Sequence, residues 1–309
     1  MALLTNKSIL LAEVESTYGT DPTPTTSANA VQVFEVEITP EIDMLERRDF
    51  GVTLSRLKEL GGKRRVTVSF TTEIRGSGTA GTAPEIDPLL EACGLLGVNT
   101  PSTSEVYAPV DDSWKSCTIW VYKDGLVHKV NGCVGNYEID LVAGETGKIK
   151  WEFMGLYNTP EDLSFPTAQT VSSTVPPVCK GLTATFDSYA ACVENINIKS
   201  NNTITERPCL TATHGIAGFQ ITDRNPEGSF TPEATLLATK NFWTKFEANT
   251  NQALSVAVGS TAGNILTITA SQCISRSIAY ADRDGIVAHE IGFQLARSTA
   301  KDEISLSYT

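Results

Sequence analysis

The chain has 309 residues, of which 41% are hydrophobic, and it carries a formal charge of −12 at pH 7. This length and composition suit one large hydrophobic core or two of ordinary size, and two domains are the better expectation. The acidic balance argues against a surface that grips nucleic acid, because such binding needs densely placed Lys and Arg. Without a bilayer-length apolar run or a signal peptide, we expect a cytoplasmically made protein with no membrane partner.

Alternation of apolar and polar residues with a period of two recurs along most of the chain and predicts a mainly β fold. In residues 31–39 the apolar face contains Phe34, Val36 and Ile38. In residues 63–75 it contains Val66, Val68, Phe70 and Ile74. Residues 40–62 between these strands are charged and lack the pattern, so we expect a long loop, which in a compact domain is usually functional or disordered.

Gly76, Gly78 and Gly81 form a G-x-G-x-x-G motif after the second strand. A dinucleotide site requires a helix that begins within the glycines, so that its N-terminal N–H groups face a pyrophosphate. Here the helix-like segment 87–96 follows Pro84 and begins about six residues past Gly81, outside the required spacing. We therefore interpret the glycines as a flexible loop and expect no dinucleotide cofactor.

The remaining segments suggest a repeated arrangement. Turn sequences at 124–125 and 144–147 indicate hairpins, and a second helix is predicted at 232–248. Residues 157–180 are rich in Pro, Ser and Thr and have little periodicity, which is typical of a linker. Because the order of strands, loop and helix is similar on both sides, we predict a tandem duplication, with domains at 1–158 and 179–309 and a linker at 159–178.

Residues for catalysis or metal binding are scarce. The three histidines give little scope for a zinc site or an acid–base relay, and His289-Glu290 does not continue into H-E-x-x-H. The seven cysteines contain no C-x-x-C pair, so we expect them to be reduced and mostly buried. A nucleophile elbow and a phosphate-binding P-loop are also missing from the sequence. We predict a protein that is not an enzyme and has no metal or cofactor.

Several longer strings carry a resemblance to a known family. They are AEVESTYGTDPTPTTSANAVQV and GGKRRVTVSFTTEIRGSGTAGTAPEIDPLLEACGL in the first half, and GFQITDRNPEGSFTPEATL and YADRDGIVAHEIGFQLARS in the second. In order and spacing the chain resembles the major tail tube proteins of long-tailed, siphovirus-type bacteriophages. The resemblance implies two tandem β-sandwich or half-barrel domains, each with one flanking helix.

The same resemblance implies a structural virion protein, assembled in the bacterial cytoplasm, that forms stacked rings and conducts DNA to the host. Three two-domain chains would give a trimeric ring with pseudo-sixfold symmetry. Its partners would be further copies of itself and the tape-measure, tail-tip and tail-terminator proteins, with DNA passing through without specific binding. Head-to-tail stacking is the non-closing type of contact that produces filaments.

Two sets of residues follow as hypotheses. Acidic residues on polar strand faces are expected to line the lumen and repel DNA phosphates: Glu35, Glu37, Glu73, Glu138, Asp140 and Glu290. The resemblance assigns a second set to contacts between stacked rings: Arg47, Arg48, Asp49, Arg56, Glu206 and Arg207. The simpler interpretation of both sets is an ordinary solvated surface and a loop that is mobile before assembly.

An alternative function is a β-sandwich module that binds a receptor or a carbohydrate. That function predicts a cluster of exposed aromatic side chains. The four tryptophans lie instead in strand or helix patterns that favour core packing: Trp114, Trp120, Trp151 and Trp243. A hydrolase with an unrecognised site is a third alternative, and it would need convergent titratable groups.

Overall fold

The computed structural model describes residues 3–309. Strands account for 51% of the residues and helices for 4%, which confirms the β-rich fold predicted from the alternating pattern. In the first half the elements are β1 (Ser8–Val14), β2 (Ala30–Val31), β3 (Phe34–Leu45), β4 (Leu60–Glu73), α1 (Asp87–Ala92), β5 (Leu95–Thr100), β6 (Ser104–Pro109), β7 (Cys117–Lys123), β8 (Leu126–Val142), β9 (Lys148–Leu156) and β10 (Glu161–Asp162).

The second half follows the irregular segment 163–182. Its elements are β11 (Thr183–Phe186), β12 (Val193–Lys199), β13 (Asn202–Pro208), β14 (Ile216–Arg224), β15 (Glu227–Pro232), α2 (Phe242–Glu247), β16 (Gln252–Val258), β17 (Leu266–Arg283), β18 (Ile286–Leu295) and β19 (Ser305–Tyr308). Neither helix, nor any other among residues 3–309, is long and apolar enough to cross a membrane.

One antiparallel sheet, here called the main sheet, runs through both halves of the chain. Its strand order is β3–β4–β9–β8–β12–β15–β18–β17, and its middle joint is the pairing of β8 with β12. Residues 131–142 of β8 and 273–283 of β17 belong to it. The other ends of these two long strands pair with β7 and β16 in the outer layers. One side of the main sheet therefore faces a packed layer and the other remains open.

The hydrophobic core between these layers is continuous across the two halves. In the first half Phe70, Trp151 and Phe153 stack with ring centroids 5.9–6.5 Å apart. In the second half Phe230 packs against Phe186 and Phe293. Apolar residues at alternate positions of β4 and β9 supply this packing, as the two-residue period predicts.

The two halves share a pairing scheme. The order β3–β4–β9–β8 in the first corresponds to β12–β15–β18–β17 in the second, and the outer pairs β1–β7 and β11–β16 also correspond. Residues 69–73 read SFTTE and residues 229–233 read SFTPE, at matching places in β4 and β15. The duplication and its limits at 1–158 and 179–309 stay predictions, because a single sheet and a single core contain residues from both sides of the proposed linker at 159–178.

The strand before the charged loop is longer than the sequence suggested. β3 continues through Pro40 to Leu45 and β4 begins at Leu60, so only residues 46–59 remain outside the ladder, as the tip of a long hairpin. Pro40 is compatible with this strand, because β3 is an edge strand that pairs on one side only and such strands tolerate proline. The predicted loop 40–62 is in this respect wrong.

A β-bulge changes the faces at the start of β3. Glu35 and Val36 lie together opposite Phe70, and Glu35 has a positive φ of 55°. The bulge shifts the alternation by one residue, so Phe34 lies opposite Thr71 on the open side and is exposed. The expected core position of Phe34 is therefore wrong, whereas Val36 and Ile38 do pack against the core.

Both helices are shorter than expected. α1 ends at Ala92 because Gly94 takes a left-handed conformation, with φ of 82°, and the chain then enters β5. α2 begins only after Asn241, whose side chain caps the helix by accepting a hydrogen bond from the Thr244 N–H. Residues 233–241, predicted as its first half, connect β15 to this cap without helical structure.

The G-x-G-x-x-G segment is a packed contact between the halves. The Gly78 N–H donates to the Gly263 carbonyl at 3.0 Å, and the Gly76 N–H donates to the Asn264 Oδ1 at 2.8 Å. A Cβ on Gly76 would lie 2.1 Å from the Gly263 oxygen. Close backbone approach explains these glycines, so the expectation of a flexible loop is wrong.

Candidate functional site

The open side of the main sheet carries small and polar side chains. Directly opposed residues of an antiparallel pair point to the same side, so the register defines this face. One row across four strands is Glu37, Ser69, Glu152 and Asn136. Another, across six strands, is Thr71, Lys150, Glu138, Lys199, Glu227 and Gln294. The face is thus continuous across the joint between β8 and β12.

The structure places five of the six candidate lumen residues on this face. Glu73 of β4 and Asp140 of β8 lie opposite Lys148 of β9, the strand between them, and Glu138 lies opposite Lys150. Glu37 and Glu290 are also on the open face, one on β3 and one on β18. Glu35 occupies the bulge and is exposed beside the face rather than within its regular alternation.

Charges on the open face are mixed, with an acidic excess. Its acidic residues are Glu37, Glu41, Glu73, Glu138, Asp140, Glu152, Glu227 and Glu290. Its basic residues are Arg65, Lys148, Lys150 and Lys199. Glu138 lies 3.5 Å from the Lys199 ammonium and Asp140 lies 3.7 Å from that of Lys150. Part of the acidic charge predicted from the alternation is therefore neutralised by neighbouring strands.

The main sheet ends in two unpaired edges. Among residues 3–309, β3 pairs only with β4, and residues 277–283 of β17 pair only with β18. Each edge carries an exposed aromatic side chain, Phe34 on β3 and Tyr280 on β17. Unpaired backbone groups beside exposed apolar side chains favour pairing with another chain.

The tip of the β3–β4 hairpin is the most exposed apolar segment. Phe50, Val52 and Leu54 are fully exposed. The charged stacking candidates Arg47, Arg48, Asp49 and Arg56 lie around them, with Arg48 and Arg56 loosely paired to Glu46 at 3.5 and 3.8 Å. The charged residues were predicted from the sequence and the apolar residues were not, although Phe50, Val52 and Leu54 form the series F-x-V-x-L in the sequence.

The two stacking candidates of the second half lie on a different hairpin. β13 and β14 form their own two-stranded sheet, and Glu206 and Arg207 are on β13. Glu206 contacts the Lys63 ammonium at 3.0 Å and the Arg65 guanidinium at 3.4 Å, so it is engaged within the chain. Arg207 is exposed. The structure therefore does not bring these two residues together with the first-half tip.

The histidines, cysteines and carboxylates do not form a metal site in the part of the chain that the structure describes. No group of three His, Cys, Asp or Glu residues there has metal-ligand geometry. Burial lowers the pKa of all three histidines, and His289 is packed among Phe242, Trp243 and Tyr280. Five cysteines are buried, whereas Cys192 is exposed and Cys209 half-buried.

A groove of about 670 Å³ lies where the two halves meet. Its principal charged group, Arg224, is already bonded to Asp111 at 2.9 Å and to Glu303 at 3.1 Å. Trp114 on its wall is half-buried against a small apolar cluster. The exposed aromatic residues of the described chain are Phe34, Phe50 and Tyr280, which lie at the two sheet edges and the hairpin tip. They do not form the platform that a carbohydrate-binding module needs.

The continuous antiparallel sheet defines a β-rich class of protein. The model of the family described as phage tail tube protein matches residues 5–295, and the chain belongs to that family. The resemblance expected from the sequence strings is therefore confirmed over nearly the whole chain. The family is one of structural components of the virion. A search of curated proteins found no match.

Proposed function

We propose that three copies of this chain form a closed ring and that the rings stack into the tail tube through which DNA enters the host. The observation that carries the proposal is the main sheet, which has one open polar face and two unpaired edges on opposite sides. A contact between unlike edges is heterologous, and it closes into a ring when its rotation divides a full turn. Three chains with two similar halves each give pseudo-sixfold symmetry.

In this ring the open face lines the lumen. Acidic excess and small hydroxyl and amide side chains would allow DNA to slide, because a dense Lys and Arg surface would retain it. Reversing the charge of Glu73, Glu152 and Glu290 to Lys should slow DNA ejection from reconstituted virions without blocking tube assembly. The matched control reverses Asp112, Asp223 and Glu247, which lie off the open face. Normal ejection by the first variant would contradict the lumen assignment.

The β3–β4 tip would then contact the next ring along the tube. Fully exposed Phe50, Val52 and Leu54 provide apolar anchors, and Arg47, Arg48, Asp49 and Arg56 provide a polar rim. Glu206 would position this arm through Lys63 and Arg65, and exposed Arg207 would add a further rim contact. Deleting residues 47–55 should leave soluble rings or monomers that do not elongate.

A substitution variant of the same segment distinguishes a loss of ring contacts from misfolding caused by the deletion. Replacing Phe50, Val52 and Leu54 together by Ser should leave the melting temperature unchanged, because these side chains have no buried contacts to lose. Elongation should still fail. Tubes of normal length in electron micrographs of this variant would show that the tip does not join the rings.

The proposed partners are further copies of the chain along the tube and the tape-measure, tail-tip and tail-terminator proteins of the virion. Assembly would take place in the cytoplasm of the bacterial host, and no catalytic step is proposed. Electron microscopy of the purified protein, before and after concentration, tests the proposal directly. Hollow rings or tubes with threefold or pseudo-sixfold end views would support it, and monomers that persist even beside purified tail-tip complex would contradict it.

A further inference from the structure

We propose that the joint between β8 and β12 inside the chain is a copy of the joint between chains. β17 of one chain would then pair antiparallel with β3 of the next, with Ala281 opposite Glu37, Tyr280 opposite Ile38 and Ala279 opposite Thr39. This inference rests on the ring proposed above and adds the register and the anchoring side chain.

The internal joint provides the template. β8 and β12 pair without a register shift over five residue pairs, and Ile139 lies opposite Ile198 on the core side. Asp140 lies opposite Asn197 and Glu138 opposite Lys199 on the open face. Ile139 and Ile198 are almost completely buried, at 1% and 0% exposure. A completed joint of this kind thus buries an apolar pair at its centre.

The equivalent of β8 in the second half is β17, and its register follows from the sheet. Phe70 lies opposite Trp151, which lies opposite Tyr137. In the second half Phe230 lies opposite Ile291, which lies opposite Ile278. Since SFTTE and SFTPE align Phe70 with Phe230, Tyr137 corresponds to Ile278. Two residues further along, Ile139 corresponds to Tyr280.

The equivalent of β12 in the first half is β3. Glu37 lies opposite Ser69, and Asn197 lies opposite Ser229. Because Ser69 and Ser229 are aligned, Glu37 corresponds to Asn197 and Ile38 corresponds to Ile198. The template pair Ile139 and Ile198 therefore becomes Tyr280 and Ile38 of the next chain.

The chemistry of the two edges agrees with this register. Tyr280 is 68% exposed, whereas its equivalent in the completed joint is buried. Its ring packs against Trp243 and His289 in tilted geometry, at centroid distances of 5.7 and 5.1 Å, so little side-chain freedom would be lost on pairing. Ala279 and Ala281 flank it on the open side and leave room for Glu37.

A pair of engineered cysteines tests the register. Directly opposed residues of an antiparallel pair have Cβ atoms about 4.5–5.5 Å apart, close to the roughly 3.5–4.5 Å of a disulfide and within reach of a short cross-linker with two thiol-reactive groups. We expect Glu37→Cys with Ala281→Cys, in a background with Cys192→Ser and Cys209→Ser, to give covalent dimers and trimers on a non-reducing gel of assembled protein. The matched control, Glu37→Cys with Ser277→Cys, is displaced by four residues and should cross-link at least tenfold less.

The outcomes separate the register from the proposed function. Rings that form but cross-link better through Ser277, or through neither pair, would overturn the register and leave the ring intact. Chains that never associate would overturn both. Cross-linking through Ala281 that is lost when the protein is kept dilute and monomeric would support both.

The anchor is tested separately. Tyr280→Asp should prevent ring formation, seen by light scattering and electron microscopy, while the melting temperature of the monomer stays close to that of the wild type. Val98→Asp is the matched control and should assemble normally, because Val98 is 60% exposed on β5, which is not a strand of the main sheet. Assembly of the Tyr280 variant at the wild-type rate would show that Tyr280 is not the anchor.

Discussion

The two hairpin arms occupy corresponding places in the two halves but are held in opposite ways. The β3–β4 arm ends in a tip whose Phe50, Val52 and Leu54 are fully exposed. The β13–β14 arm instead lies against the body, where Ile216 and Phe219 pack on Val134 of β8. Similar halves thus differ in their arms: the β3–β4 arm remains available for contacts with other molecules, whereas the β13–β14 arm packs within the chain.

The committed arm also supports the free one. Glu206 on β13 contacts Lys63 and Arg65 at the base of the β3–β4 arm, and the Arg64 N–H donates to the His214 carbonyl at 3.2 Å. The Tyr18 hydroxyl donates to the Gly132 carbonyl at 2.9 Å and accepts from the Phe219 N–H at 2.7 Å. The second arm is thus attached to the body by apolar burial and by the hydrogen bonds of Tyr18, and to the first arm by ion pairs and one backbone hydrogen bond.

The largest expected effect concerns the apolar attachment of the second arm. Phe219 is 1% exposed, so Phe219→Ala should lower the free energy of unfolding by about 3–5 kcal/mol. Phe50→Ala, the matched change on the free arm, should leave it within about 0.5 kcal/mol of wild type. Chemical denaturation of both variants measures the difference. Equal losses would mean that the free tip is packed in solution.

A smaller loss is expected from Tyr18→Phe. Burial raises the pKa of this tyrosine to about 12, and the change would remove both hydrogen bonds of its hydroxyl while keeping the ring. Leaving a buried donor and acceptor without their partner costs about 1–3 kcal/mol. Thermal unfolding measures the loss, and Tyr157→Phe at a half-buried position is the control. An unchanged melting temperature would rule out this tie.

The ion pairs of Glu206 with Lys63 and Arg65 should contribute less to the free energy of unfolding. Glu206 is partly exposed, so Glu206→Gln should cost at most about 1 kcal/mol, and the cost should shrink at high salt. Tube elongation should slow more than stability falls, because the free arm loses its orientation. Elongation by Glu206→Gln at the wild-type rate would indicate that these ion pairs do not orient the β3–β4 arm.

The smallest effect is the contribution of His214, on the second arm, to the pH dependence of stability. Burial, and secondarily the charge of Arg64, lowers the pKa of His214, so the unfolded chain binds a proton more readily than the folded one. The contribution of His214 to stability is therefore fully present above the unfolded-state pKa near 6.5, and it is lost as the pH falls from there through the lower pKa of the folded state. His214→Gln should flatten this slope in melting curves between pH 7 and pH 5. An unchanged slope would point to His128 and His289 instead.

Sequence patterns predicted the repeating parts of the fold well. The alternation in β4 placed Val66, Val68 and Phe70 in the core, where they lie, because a two-residue period has only two faces to choose between. Patterns failed where a single residue overrides the period. The bulge at Glu35 turned Phe34 outward, and the Asn241 cap delayed α2.

The candidate site was less predictable than the strands. Alternation alone placed five of the six lumen candidates on one face, because all lie in regular strands. The Lys150 and Lys199 partners of Asp140 and Glu138 come from other strands, and no local pattern shows which strands will be neighbours. The free edges likewise depend on the order of strands in the sheet, which only the structure gives.

The joint between β8 and β12 has a kinetic consequence. In the proposed ring every second sheet joint is already made when a single chain has folded, so only three of the six joints form between chains, two of them by encounters of separate molecules and the third by closure of the ring. Each internal joint forms at the high effective concentration of a tethered partner, whatever the number of chains in the cell. The concentration at which rings appear should therefore depend on the affinity between the β17 and β3 edges alone. Substitutions at this one interface could then change the protein concentration at which ring formation begins.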